Sequence, residues 1–346
     1  VLQRSQRHAE ALAAHEHAQA LGLDVADAHY NHGNTLHSLG RAELAQAAYR
    51  RALAREPQHA LALYDLARLR WSCGEADFAA ELEQAEQTAP GSATASGIRA
   101  QLLLKAERHA EAAAAFRRAI ERMPEASGYH DGLGQALSRL GEHEAALAAH
   151  ERAVSLAPTH AVTRCNQAHS LLAAGQPRQA AAVAEAALRL APDDQHALAL
   201  LGLAWRQLGD PREAWLNDYA RLVRVIDLPP PPGWTDMAAF NAALAQELAR
   251  LHTDVQAPVD QTLRHGTQTR GNLLDQGHPL VEALKPLLCE AIDGYIAGLP
   301  EDDSHPFVQQ RDKTWHFTDS WSSRLRSRGF HTNHVHTHGW ISSCYY

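Results

Sequence analysis

Apolar positions recur along most of the chain at the spacing of amphipathic helices, and the breaks between them recur as well. Prolines at 57, 90, 124, 158 and 192 stand 33, 34, 34 and 34 residues apart. Gly40, Gly74, Gly141, Gly175 and Gly209 keep that rhythm, with Glu107 standing where one glycine is missing. Alanines at 45, 79, 112, 146, 180 and 214 follow shortly after, and a second set at 52, 119, 153 and 187 comes next. Each marker has a mechanical reason. Glycine tolerates the left-handed conformation that ends a helix. Alanine lets two helices approach closely. Proline closes the second helix because it cannot continue it. The unit from Ala26 to His59 reads cleanly as one such helix pair. Residues 1–25 read as the second helix of an earlier pair, and 195–226 as a last pair capped by Trp205, Trp215, Tyr219 and Leu222.

The pattern breaks at Asp227-Leu-Pro-Pro-Pro-Pro-Gly-Trp234, which favours extended polyproline geometry. Residues 235–252 restart a helix with Thr235 or Asp236 as N-cap. Residues 278–298 form another, which Pro286 kinks or splits. After Pro306 the chain turns rich in Trp, Ser, Thr and Tyr with alternating patterns. Strands are predicted at about 313–318, 320–326 and 331–336, with a turn at Arg328-Gly329 and a fourth strand from Ile341. The chain therefore divides into a helical solenoid (1–226), a proline-rich linker (227–234) and a C-terminal α+β region (235–346).

A 34-residue helix-pair period with these Gly, Ala and Pro markers resembles the tetratricopeptide repeat (TPR). The resemblance covers about two thirds of the chain. It implies a protein or peptide partner in the concave groove. Tyr30, Asn31, Asn34, Asp65, Arg68 and Asn166 stand where TPR groove residues stand. Solvated surface is the competing reading of the same residues, since no two adjacent repeats share a charged clamp.

Composition changes this picture little. A net charge of −8 gives no general attraction to nucleic acid or to an anionic membrane. No apolar run nears the ~20 residues of a membrane span. The four cysteines are scattered without a CxxC pair, which points to a reducing, cytoplasmic setting. Histidine is in excess, at 23 residues. His331, His334, His336 and His338 fall within eight residues. In a strand, residues two apart share a face, so His334 and His336 would project together. Two imidazoles on one face suit Fe(II), Zn(II) or Cu(II).

The run GF-H-xx-H-V-H-xx-G-W-I-S-S-C-Y-Y, preceded by D-S-W-S-S-R-L, resembles the 2-oxoglutarate/Fe(II) oxygenases fused to TPR arrays. The resemblance spans about 226–346 and implies the opening part of a double-stranded β-helix (jelly roll), truncated at its C-terminus. It implies Fe(II) and 2-oxoglutarate as cofactors and a hydroxylase activity on a protein recruited by the array. By that resemblance His334 matches the first metal ligand. His336 replaces the usual Asp or Glu, and so stands either on the metal or just behind it. Tyr345 and Tyr346 match a Tyr-Tyr pair of which one contacts the 2-oxoglutarate carboxylate, Tyr346 being favoured. Trp321, Arg324 and Trp340 are weaker candidates. The absent initiator Met and an end inside a predicted strand point to a longer natural polypeptide, with a distal His and an Arg beyond Tyr346. The chain as it stands is then expected to be inactive. The alternative is a non-catalytic TPR adaptor with a degenerate β domain. A zinc or copper hydrolase or a cupin-like isomerase would need a general base that the sequence does not identify.

Overall fold

A computed structural model describes residues 7–259, 261–311, 314–337 and 339–346. The chain is mainly helical and forms two compact units, Val1–Leu156 with Val255–Gln261, and Ala157–Asp254 with Thr262–Tyr346. These limits differ from the sequence division at 226. Repeat contacts are made only between neighbours, so compactness can divide an array at a repeat junction.

The first unit contains α1 (His8–Ala20), α2 (Ala26–Ser38), α3 (Ala42–Arg55), α4 (Ala60–Ser72), α5 (Ala80–Thr88), α6 (Thr94–Lys105), α7 (His109–Arg122), α8 (Ser127–Arg139) and α9 (His143–Leu156). The period-marking alanines 45, 52, 112, 119, 146 and 153 are fully buried, as close helix approach requires. Tyr49 and Phe116 fill the largest spaces beside them.

Gly40, Gly74 and Gly141 all have positive φ at the end of a first helix. Glu107 adopts the same conformation, at φ 61°. There Arg108 N–H donates to Leu103 O at 2.9 Å and Glu107 N–H to Leu104 O at 3.1 Å, which closes a Schellman motif. A residue with a Cβ is strained in this region. Glu107→Gly is therefore expected to stabilise the first unit by about 0.5–1 kcal/mol. A rise in melting temperature by circular dichroism checks this, and a lower melting point would refute the strain.

In the second unit α10 (Ala161–Ala173), α11 (Pro177–Leu190) and α12 (Gln195–Leu208) continue the helical pattern. The last pair is not the one expected. Its second helix breaks at Asp218 into α13 (Arg212–Asn217) and α14 (Tyr219–Leu222), and the Asp218 carboxylate accepts from Arg221 N–H at 3.3 Å. Only Trp205 of the proposed caps joins the core; Leu222 is half-buried, and Trp215 and Tyr219 are exposed. None of the four cysteines is in a disulfide. Cys165 is buried, and its thiol is pushed up to about 12 by desolvation and by Asp194.

The prolines at 229–232 lie outside helix and strand. Then α15 (Met237–Leu251) starts on Asp236, whose side chain accepts from Ala239 N–H at 2.8 Å. Helix α16 (Pro279–Ala297) runs through Pro286 without splitting. Phe240 and Leu244 of α15 share one buried cluster with Val281 and Leu284 of α16.

The strand predictions need correction. Among the described residues the sheet has two antiparallel strands, β1 (Leu263–Gln268) and β2 (Ser323–His331). Residues 314–318, 332–336 and 341–346 are neither helix nor strand, while Asp312, Lys313 and His338 lie outside the described residues. The predicted turn at Arg328-Gly329 falls inside β2. Arg264 pairs with Phe330 but Gly266 pairs with Leu325, so β2 carries a large bulge there, residues 326–329 standing opposite His265. Arg328 takes φ 66° within it. A side chain at Gly329 would meet His265 O at 2.6 Å, so the bulge needs glycine at this place. Strand β1 escaped the sequence reading because LRHGTQ, with Gly266 in its middle, shows no alternation.

Candidate functional site

In the first unit, the first helices of successive repeats place five of the six proposed groove residues on α2 and α4. The Tyr30 hydroxyl donates to Asp65 Oδ2 at 2.8 Å. Arg68 reaches Asp65 Oδ1 at 3.5 Å, one turn along the same helix. Asn34 Oδ1 accepts from the Tyr49 hydroxyl at 2.7 Å. Burial raises the Tyr30 pKa; the hydrogen bond with Asn34 opposes this and Asp65 adds to it, so the phenol stays a donor. Asn31 is exposed beside them.

Sequence reasoning missed two members of this face. Arg68 lies over the Tyr64 ring, 5.4 Å from its centroid, and Lys105 of α6 donates to the Tyr64 hydroxyl at 3.4 Å. The helical interval from Tyr64 to Arg68 was a usable signal for the first. No local signal connects residue 105 to residue 64. The result is a row of half-buried phenols, one carboxylate, a guanidinium and an ammonium whose side chains hold one another. Such an arrangement is ordered before a partner arrives, which lowers the entropy cost of binding. Asn166 is not part of it: it stands half-buried on α10 in the second unit.

The histidine pair lies beyond the end of β2. His334 and His336 are exposed and are not in a strand. The same-face argument therefore does not apply, yet the rings still meet: the two Nε2 atoms are 3.2 Å apart and the centroids 4.8 Å. His334 Nδ1 lies 2.8 Å from Thr332 O. With that nitrogen donating to the carbonyl, Nε2 of His334 is the lone-pair atom and accepts from His336. The His336 pKa is lowered by desolvation and then by His334, with Asp319 opposing; that of His331 is lowered by desolvation and by His334. Neutral imidazoles are the form that ligates metal. The rings of Trp321 and His336 are 5.8 Å apart.

A facial triad needs a third ligand. Among the described residues no group of three His, Cys, Asp or Glu side chains is placed to hold a metal ion. The tyrosines separate as adjacent residues of an extended segment would. Tyr345 donates to Asn241 of α15, whereas Tyr346 is 97% exposed. Burial raises the Tyr345 pKa, and contact with Cys344 raises that of Tyr346. Trp340 donates to Phe307 O at 2.9 Å, which fits a packing role. Arg324 is exposed on β2 and lowers the pKa of His252 beside it, where desolvation is the larger cause.

Comparison with known proteins supports the repeat array. Tetratricopeptide-repeat models match residues 26–59, 99–161 and 165–224. Similar solved structures include yeast Tom70, at TM-score 0.47 and 17% identity over 60% of this chain. The chain spans 45% of the length of that Tom70. YrrB, a TPR protein with an unusual peptide-binding site, matches at TM-score 0.40 and 22% identity over 54% of this chain and 96% of its own. PilW, a type IV pilus biogenesis factor, matches at 0.46 and 20%, over 55% of this chain and 89% of its own. No curated protein matches the chain. No helix among the described residues is long and apolar enough to cross a membrane.

Proposed function

We propose that this protein is a protein-interaction scaffold whose repeat array recognises a peptide or protein partner through the α2–α4 face. The linked Tyr30–Asp65–Arg68 group carries the reading. A merely solvated surface has no need of a carboxylate held between a phenol and a guanidinium on two successive repeats. Such a group suits a partner offering backbone amides and charged side chains. Replacing Asp65 and Arg68 together by Ala is expected to weaken a captured partner at least about 10-fold, the loss of one to two charge-assisted hydrogen bonds. Quantitative affinity capture with wild type, the double variant and Glu151→Ala as a distant control tests this. Equal recovery of every partner by wild type and double variant would remove the α2–α4 face from recognition.

The convergence of His334 and His336 favours a second reading, a 2-oxoglutarate/Fe(II) oxygenase region served by the array. When bound, iron with 2-oxoglutarate would supply C–H oxidation. On this reading His334 and His336 hold the metal in part, and Tyr345 or Tyr346 faces the keto acid. The jelly roll belongs to the same proposal. Co(II) titration followed by absorbance tests the pair without any turnover. His334→Ala is expected to abolish Co(II) binding at the pair, whereas His336→Ala, if that ring stands behind the metal, lowers the affinity about 10–100-fold. An unchanged titration would rule out this pair as ligands.

A further inference from the structure

Residues Val255–Val259, distant in sequence, pack as part of the first unit, and both partners of every contact that follows belong to that unit. They settle at the C-terminal end of α4. A helix end leaves its last carbonyls without intrahelical partners. Here Val255 N–H donates to Ser72 O at 3.2 Å, and the Gln256 side-chain amide donates to Trp71 O at 2.6 Å. In return the Trp71 indole N–H donates to Ala257 O at 2.9 Å. Gly74, at φ 80°, lies against Val255; a Cβ there would stand 3.1 Å from the valine's Cγ1. Ala257 is 6% exposed, and Val259 is 1% exposed within the cluster that includes Leu63 and Phe78. Phe78 in turn meets the Trp71 ring edge-on at 5.2 Å.

These contacts have the form of peptide recognition. Backbone groups are read at Val255 and Ala257, one side chain is seated in an apolar core, and the segment Val-Gln-Ala-Pro-Val carries no charge. Helix α5, the second helix of this repeat, has 9 residues against 14 in α3 and α7. Residues 76–79, just before it, are turn rather than helix.

We infer that the C-terminal end of α4 and the following turn form a peptide-docking site, filled in this chain by its own Val255–Val259. In trans it takes an uncharged segment with an apolar residue at each end and a small residue and proline between. The inference rests on the reading above only in treating the array as a recognition surface, and its test does not involve Asp65 or Arg68. Because it belongs to the same chain, the segment competes intramolecularly, which keeps a free peptide out.

The test uses the full chain and a labelled synthetic peptide with the sequence of residues 252–262. Val259→Asp weakens the tethered segment and leaves Trp71, Ser72 and Gly74 unchanged. This variant is expected to bind the free peptide at least about 10-fold more tightly than wild type. Adding Trp71→Phe should then weaken binding about 5–10-fold through loss of the indole donor. A peptide carrying Asp in place of its final valine should not bind. If Val259→Asp lowers the melting temperature, the free peptide should raise it again and the Asp peptide should not. Val255→Asp, at a position 52% exposed, loosens the segment without touching the core and should give an intermediate gain. Equal binding to wild type and both variants, or a melting shift equal for the two peptides, overturns the inference.

Discussion

Replacing Phe116 by Ala is expected to cost the first unit about 3–5 kcal/mol, the range for emptying an aromatic site in a packed core. Phe116 stands on α7 and is 1% exposed. Its ring lies against Gly132 of α8, so closely that a methyl group at that glycine would collide with it. Neither partner has room to give, because Ala112, Ala113 and Ala115 around the ring's own helix are themselves buried to 1% or less. Gly132→Ala should therefore also destabilise, by about 1–3 kcal/mol, through overpacking rather than cavity formation. The two errors have opposite sign in volume. Combining Gly132→Ala with Phe116→Leu should recover part of the loss, giving a double variant more stable than the sum of the singles predicts. Thermal and urea unfolding by circular dichroism on wild type, Phe116→Ala and the cycle of Phe116→Leu, Gly132→Ala and their double measures this. Gly132→Ala melting as wild type does would mean that α7 and α8 are not in such close approach.

The repeat array was legible because its markers are local and repeated. A left-handed residue at each helix end is needed whatever the neighbours, so the period survives even where Glu107 replaces glycine. Asp236 could be read as a cap for the same reason, since its oxygen reaches an amide three residues on. The C-terminal region was not legible in this way. The partner strand of β2 lies about 60 residues earlier in a stretch without alternation. Nothing within Leu263–Gln268 announces the pairing. The histidine pair shows how a correct juxtaposition can rest on the wrong local structure. Two residues apart in a strand would share a face, but His334 and His336 meet outside any strand. The α2–α4 face was half legible. Residue types at repeat positions identified Tyr30, Asp65 and Arg68, while Lys105 joins through a repeat packing that the sequence does not print.

The buried histidine of the fourth repeat supplies the last expected result. His150 occupies the place in α9 that Tyr49 holds in α3. Each ring closes on a glycine one helix earlier: a Cβ at Gly33 would stand 2.6 Å from Tyr49 and one at Gly134 2.7 Å from His150. Both rings are fully enclosed, but His150 pairs with a carboxylate, Asp131, through Nδ1 at 3.2 Å, where the Tyr49 hydroxyl bonds the Asn34 amide. Gln135 donates to the other oxygen of that carboxylate at 3.1 Å. His150→Ala is expected to cost about 3–5 kcal/mol, since it opens a cavity and takes a partner from a buried charge. His150→Phe refills the space with the residue type used at the same repeat position by Phe116, and should cost about 1–3 kcal/mol for the lost polar contact with Asp131. Removing both polar groups, as in His150→Phe with Asp131→Ala, should return most of that second loss, because replacing both members of a buried pair avoids a stranded polar group. A double-mutant cycle on melting temperatures decides the matter. Strict additivity would show that His150 is held in the core by volume alone, whereas a coupling of about 1 kcal/mol or more assigns it to the carboxylate.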